Sequence, residues 1–341
     1  MTFKFLRVLP RDKAGGAEVM ARAESACVNP EYEQQLLFLY SSDGSRLFNL
    51  LSGFGRLFSI LRNGSYSVVI TSLWPVVPPM IFCRLFIPHH IRWIHFIHSD
   101  VFFSRTDRIF SKVAIKMADG ILCDSIAARK LVAGISNRKP IEVARPIISL
   151  KIPLEFCGQP KNLLHFITWG RIHRHKNLQL AIRFISELVR KSADAQLLIV
   201  GPDEEGLIPL LKAEAELLEV GDRVTFTGEL SQEEIIKQAI PYGGFLLSSE
   251  HEGLCIALTE AMQLGLLPVV TLVGGIREYC EDGKNCIKLD QENPARTAER
   301  LMSMSKAESD EIVRKARLTF IQSTDYCTSY YQALDHLIKG T

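Results

Sequence analysis

Short apolar runs alternate along this chain with longer amphipathic stretches, the rhythm of parallel sheets covered by helices on both faces. In the first half the apolar runs predict strands at 3–9, 35–40, 67–71, 91–96, 120–123 and 141–144, with helices at 17–27, 46–61, 75–85, 105–117 and 126–133. The periodicity lapses between Pro146 and Pro160, where three prolines and Gly158 predict a linker. A second series of strands follows at 163–169, 196–200, 223–226, 244–247, 267–270 and 286–289. The clearest helix comes after Trp169: Leu178, Ala181, Ile182, Ile185, Leu188 and Val189 keep an i, i+3, i+4, i+7 spacing, and Asn177 is placed to cap it. A last helix over 325–338 has no partner that the pattern identifies, the first domain being one option. The pattern thus predicts an α/β chain of two doubly wound domains, 1–150 and 160–322, and a closing helix at 325–339.

Length agrees with this division, since 341 residues exceed one ordinary α/β core and suit two domains of about 150 each. Forty Lys and Arg against 38 Asp and Glu leave a net charge of +2, too small for a protein that coats nucleic acid. Locally, Arg84, His89, His90, Arg92, Arg105, Arg108, Lys112 and Lys116 are interleaved with Phe82, Phe86, Trp93, Phe102, Phe103 and Phe110. Such a surface suits an anionic membrane face or a diphosphate-linked lipid, and suits ordinary solvated helix faces equally well. The run 68–87 is long enough to span a bilayer but holds Pro75, Pro78, Pro79 and Arg84, which predicts a buried strand followed by a helix. The first ten residues carry no apolar core with a small-residue cleavage site, so no export signal is expected. Eight cysteines stand singly, without a C-x-x-C pair, and are expected to be reduced, packed thiols of a cytoplasmic protein.

The densest chemistry lies from Ser248 to Glu278. An apolar strand ends at Leu247, a polar turn holding Gly253, Leu254 and Cys255 follows, and a helix starts near Ile256. Its open N–H groups and positive dipole end suit a diphosphate. Glu252 in the turn and Glu260 in the second helical turn can face different parts of one ligand, one accepting from sugar hydroxyls and the other from a ribose diol. On spacing alone, Glu252 is equally a helix-start carboxylate and Glu260 a solvated helix residue. Upstream, Gly170, Arg171 and Lys176 share a strand-end loop, where a guanidinium fork and an ammonium can clamp a diphosphate; a basic surface loop is the plain alternative. Gly15 and Gly16 open the first helix after a strand, and His98 stands just past another strand end. Ser125 has the position of a helix cap.

The segment from Ser249 to Glu278 resembles the E-x7-E region of retaining glycosyltransferases with the GT-B fold, in particular the family called glycosyltransferase group 1, or family 4. That family shows a serine, two variable residues, E-G-F-G-L, a second glutamate, then A-M, G, P-V-V and G-G-x-x-E; here Leu254 replaces the aromatic residue and Cys255 the second glycine. Its G-R-x-x-x-x-K-G is matched at Gly170, Arg171 and Lys176, with Asn177 in place of the last glycine. Similar, weaker likenesses are Gly15-Gly16-Ala17-Glu18, 198–202, Ala118 to Ser125, and 224–230. Where the family has N-P, this chain has Arg145-Pro146.

The resemblance implies two Rossmann-like domains facing a central cleft, the first binding a glycan or lipid-linked acceptor and the second a UDP- or GDP-sugar. It implies transfer with retention, needing no cofactor and no metal. It assigns catalytic parts to Glu252, His98, Arg171 and Lys176. It assigns donor contacts to Gly16, Gly170, Thr227, Gly228, Leu230, Gly253, Leu254, Cys255, Ile256 and Glu260. The work implied is cell-surface polysaccharide or glycolipid assembly, in the cytoplasm or at the inner face of the membrane. A nucleotide-sugar epimerase or phosphorylase, and a non-catalytic protein that binds sugar nucleotides, are the alternatives.

Overall fold

The computed structural model describes residues 2–12, 15–40, 46–86, 91–136, 138–148, 150, 162–191, 193–321 and 325–340, the side chains of 46–51 and 321 excepted. The chain divides into two compact units, Met1–Pro146 with Thr324–Thr341, and Ile147–Ser323.

The first unit is a six-stranded parallel sheet of order β2-β1-β3-β4-β5-β6. Its strands are β1 (Phe3–Leu9), β2 (Tyr32–Phe38), β3 (Val68–Ser72), β4 (Arg92–Ile97), β5 (Gly120–Cys123) and β6 (Ile141–Val143), connected by α1 (Gly16–Ala26), α2 (Arg46–Asn63), α3 (Val77–Phe86), α4 (Arg105–Met117) and α5 (Ile126–Ala133). All five residues of β3 and all four of β5 are buried, as strands covered on both faces must be, which is why their sequences are unbroken apolar or small runs. β2 begins earlier than its sequence suggests, because Tyr32 to Gln35 pair along β1 at the sheet edge, where Tyr32 is buried while Glu33 and Gln35 stay in water. Ser125 caps α5, its hydroxyl accepting from Ala128 N at 3.2 Å.

The second unit is a six-stranded parallel sheet of order β12-β11-β10-β7-β8-β9. Its strands are β7 (Asn162–Trp169), β8 (Gln196–Val200), β9 (Val224–Gly228), β10 (Tyr242–Leu247), β11 (Leu267–Val270) and β12 (Ile287–Lys288). The helices are α6 (Leu178–Arg190), α7 (Ile208–Leu217), α8 (Gln232–Ala239), α9 (Ile256–Gln263), α10 (Pro294–Ser303) and α11 (Lys306–Ile321). The strand order reverses between β7 and β10, and at such a switch point the connections leave in opposite directions and open a crevice at the carboxyl edge. The apolar stripe of α6 is buried as its spacing requires. Asn177 precedes this helix but does not cap it with its side chain; it is left-handed, φ 45 and ψ 48, a conformation that glycine and asparagine tolerate best.

The first unit ends at Pro146, so Ile147, Ile148 and Leu150 belong to the second: Ile147 is buried in its core, and Gln263 of α9 bonds Ile148 O at 2.9 Å and Leu150 N at 3.0 Å. The remainder of the proline-rich stretch, 149 and 151–161, lies outside the described residues. The closing helix, α12 (Tyr326–Lys339), packs on the first unit. Tyr331 stacks on Tyr32 with ring centroids 5.2 Å apart, and Lys339 pairs with Glu31 at 2.7 Å. Cys327 forms a disulfide with Cys27, Cα atoms 5.5 Å apart across 300 residues of sequence. The expectation of eight reduced thiols therefore fails at this pair, because only α12's return brings the two together. Cys83, Cys123, Cys255, Cys280 and Cys286 are free and buried, and Cys157 lies outside the described residues.

Candidate functional site

Three loops leave the carboxyl edge of the second sheet beside its switch point, and hydrogen bonds stitch them into one body. The loop between β7 and α6 is tied to that between β10 and α9 by Glu250 N donating to His175 O at 2.8 Å and Ser248 Oγ donating to Lys176 O at 2.8 Å. The loop after β11 joins through Thr271 Oγ1, which donates to Ser249 O at 2.6 Å, and Gly275 N, which donates to Glu252 O at 3.1 Å. Gly201 closes the floor: a Cβ there would stand 1.9 Å from Gly170 O, so only glycine lets the ends of β8 and β7 approach this closely.

On that body Lys176 Nζ pairs with Glu252 Oε1 at 2.6 Å, and Ser249 Oγ donates to the same oxygen at 2.6 Å. Burial on its own would lower the Lys176 ammonium, but the Glu252 carboxylate outweighs it and holds the group above its ordinary value. Arg171 is more exposed, at 45 %, and lies 3.4 Å from Glu204. Arg171, Lys176, Trp169, Gly170, Leu247 and Ser248 line one small hollow.

Glu260 is not a solvated helix residue. It is 8 % exposed, and it accepts from Trp169 Nε1 at 2.9 Å and from Gln232 Nε2 at 2.6 Å. Burial raises its carboxyl above the ordinary value while the two donors oppose that shift. Gly253, Leu254 and Cys255 are buried in the turn before α9, and Ile256 is its first residue. Cys255 is left-handed, φ 61 and ψ 82, at the position where the resembling sequences place glycine. Burial pushes its thiol up to about 12, so it stays neutral. Thr227, exposed, and Gly228, with φ 77, end β9, and half-buried Leu230 packs on the core beneath α9.

Trp169 and Gln232, partners of Glu260, were left out of the site by sequence reasoning, and no local pattern marks them, since they reach the carboxylate across the fold; Ser249, three residues from Glu252, heads the motif itself. Gly16 and His98 stand on the first unit. Gly16 is the exposed first residue of α1. His98 follows β4, its Nε2 2.7 Å from Ser72 Oγ, and burial, then the Arg7 charge, hold the ring well below its ordinary pKa.

The basic and aromatic surface expected of the first unit is sorted differently by the fold. Trp93 is fully buried because β4 is an interior strand, and Arg84 is held by Asp119 at 2.7 Å. Phe82, Leu85 and Phe86 stay exposed on α3, and Phe103 ahead of α4. His89 and His90 lie outside the described residues. Among the described residues no helix is long and apolar enough to cross a membrane.

The family model for glycosyl transferases group 1 matches residues 157–322. One of the polypeptides of the human phosphatidylinositol N-acetylglucosaminyltransferase is 27% identical over 161 residues, 46% of this chain and 33% of that protein. The alpha-D-kanosaminyltransferase of Streptomyces kanamyceticus is 32% identical over 149 residues, 43% of this chain and 36% of that enzyme. The chain thus spans about a third of the length of these curated relatives. Among solved structures, Anabaena HepE in complex with UDP and glucose superposes with a TM-score of 0.78 at 15% identity, covering 99% of this chain and 100% of that one. The chain therefore has the GT-B fold of two Rossmann-like units, and its residues 157–322 match the glycosyl transferases group 1.

Proposed function

We propose that this protein transfers a sugar, with retention at the anomeric carbon, from a UDP- or GDP-sugar to a glycan or lipid-linked acceptor in cell-surface polysaccharide or glycolipid assembly. The observation that carries the proposal is the Lys176 and Glu252 pair at the switch point, beside the head of α9. A lysine ammonium has three protons and Glu252 takes one, leaving two for diphosphate oxygens. The first N–H groups of α9, which no helical carbonyl can satisfy, add donors to the same anion. Arg171 supplies the second cation.

As the bond from the anomeric carbon to the diphosphate breaks, negative charge collects on the leaving group, so these donors stabilise the transition state more than the ground state. In this reading the acceptor hydroxyl attacks the same face, and its proton passes to a departing phosphate oxygen. No protein base is then required, and no metal or cofactor is assigned. Glu252 holds the donor sugar's hydroxyls while it orients Lys176, and Glu260, steadied by Trp169 and Gln232, holds the ribose diol.

Thermal denaturation against a panel of UDP- and GDP-sugars tests this: stabilisation by one nucleotide series, with transfer once an acceptor is added, is the expected result. Glu252→Ala should retain affinity for the nucleoside diphosphate, because Lys176 is released to it, while transfer falls by roughly 10²–10³. A variant that transfers at the wild-type rate defeats the reading. Turnover of the sugar nucleotide without any acceptor would favour an epimerase or phosphorylase instead.

A further inference from the structure

Arg7 on β1, Ser72 at the end of β3 and His98 just past β4 meet at the carboxyl edge of the first sheet, where strand order reverses between β1 and β3. Arg7 is fully buried; its Nε donates to Glu24 Oε2 at 2.7 Å and its Nη1 to Ser72 Oγ at 2.8 Å. Tyr326 of α12 donates its hydroxyl to the other Glu24 oxygen at 2.5 Å, and the guanidinium lies 5.3 Å over the Phe96 ring. The far side of Ser72 Oγ is 2.7 Å from His98 Nε2.

A serine hydroxyl has one proton and two lone pairs. Arg7 cannot accept a proton, so it fills one lone pair of Ser72, and His98 Nε2 is the acceptor within reach of the Ser72 proton. Were His98 to donate from Nε2 instead, the Ser72 hydroxyl hydrogen would be buried without an acceptor. A second proton on the ring is opposed by burial and by the charge of Arg7, with His95 adding to both. The remaining ring proton then sits on Nδ1, a buried atom without a partner among the described residues. The preceding residue repeats the device: Trp93 Nε1 donates to Thr71 Oγ1 at 2.8 Å, and that oxygen lies 2.8 Å from His95 Nδ1. Two successive hydroxyls of β3 are thus each filled by a fixed donor and each lie beside a histidine ring nitrogen.

We propose that Arg7 and Ser72 are positioning residues that hold His98 as the neutral Nδ1–H tautomer, so that a ligand oxygen reaching this buried nitrogen on binding meets a hydrogen-bond donor rather than a base. Tyr326 and Glu24 anchor the other end, which makes α12 part of the same chain of hydrogen bonds. The ligand contact rests on the glycosyl-transfer reading; the tautomer does not.

Ring-15N-histidine labelling of the full chain tests it without any substrate, long-range 15N–1H correlations reporting which nitrogen of each ring bears hydrogen and a His98→Gln sample assigning the signal. At neutral pH the expected spectrum has a protonated Nδ1 and a bare Nε2 on His98. A proton on Nε2, alone or on both nitrogens, overturns the proposal whether or not Ser72 variants fold. Ser72→Ala should release the ring into both neutral tautomers and Ser72→Thr should restore one; a His98 spectrum unchanged in Ser72→Ala overturns the positioning role. Because no turnover is read, failure here and failure of the transferase reading are separate results.

Discussion

A carboxylate buried behind a loop is costly, and Glu260 shows how the cost is managed. Two donors, Trp169 Nε1 and Gln232 Nε2, satisfy it, yet burial still keeps its carboxyl above the ordinary value of 4.5. A raised acid pKa in the folded state means that ionisation costs more there than in the unfolded chain. Wild-type stability from this group is thus fully present below pH 4.5 and declines as pH rises through the raised folded value. Glu260→Gln cannot ionise, though its amide keeps an oxygen for only one of the two donors, so its melting temperature relative to wild type should rise between acid and neutral pH while nucleotide binding weakens. A constant difference across that range contradicts the cause assigned to the shift. Cys255 poses a second residue-scale question. Its left-handed backbone costs roughly 1–2 kcal/mol for a residue with a Cβ, whereas glycine there would lose packing and roughly 0.5–1 kcal/mol of chain entropy. The two oppose, so Cys255→Gly should change unfolding free energy in urea by less than about 1 kcal/mol. Space beside Glu252 should open, and the range of donors that raise the melting temperature should widen. A loss of stability well beyond that would show that the thiol's packing dominates.

At the scale of elements, α3 follows a buried strand and leaves Phe82, Leu85 and Phe86 in water, with ring centroids of Phe82 and Phe86 5.0 Å apart. If the peripheral contact with an anionic bilayer expected from the sequence exists, this aromatic and aliphatic tip is the part of α3 that would make it. Phe82→Ser with Phe86→Ser should lower co-sedimentation with anionic vesicles several-fold without moving the melting temperature; equal co-sedimentation would exclude α3 as the contact. The same elements show what could be read without coordinates. Strands buried on both faces, such as β3, β5 and β11, declare themselves as apolar runs, and α6 does so by its stripe, because burial there is periodic in sequence. The edge strand β2 does not, since its first residues are mostly polar and partly exposed and so form no apolar run. The loops bearing Arg171, Lys176 and Glu252 were legible because glycines and charges cluster locally at strand ends. Trp169 with Glu260, Ser72 with His98, and Cys27 with Cys327 were not: each joins segments distant in sequence, and only the packing brings them together.

For the molecule as a whole, two sheets of different strand order carry two kinds of site. In the second unit Arg171 and Lys176 line one hollow at the switch point, while Glu252 and the buried Glu260 stand behind that lining, bonded to Lys176 and Trp169. The first holds a fully buried guanidinium in a hydrogen-bonded chain that α12 completes from the far end of the sequence. The central claim is that Lys176 grips a nucleoside diphosphate. Isothermal titration of UDP, GDP and the corresponding nucleosides into wild type and Lys176→Ala measures this directly. Loss of a charged hydrogen bond is worth roughly 1.5–3 kcal/mol, or about ten- to a hundredfold in affinity. The account predicts that loss for the diphosphate and an unchanged affinity for the nucleoside. Equal diphosphate affinity in the two proteins would contradict it.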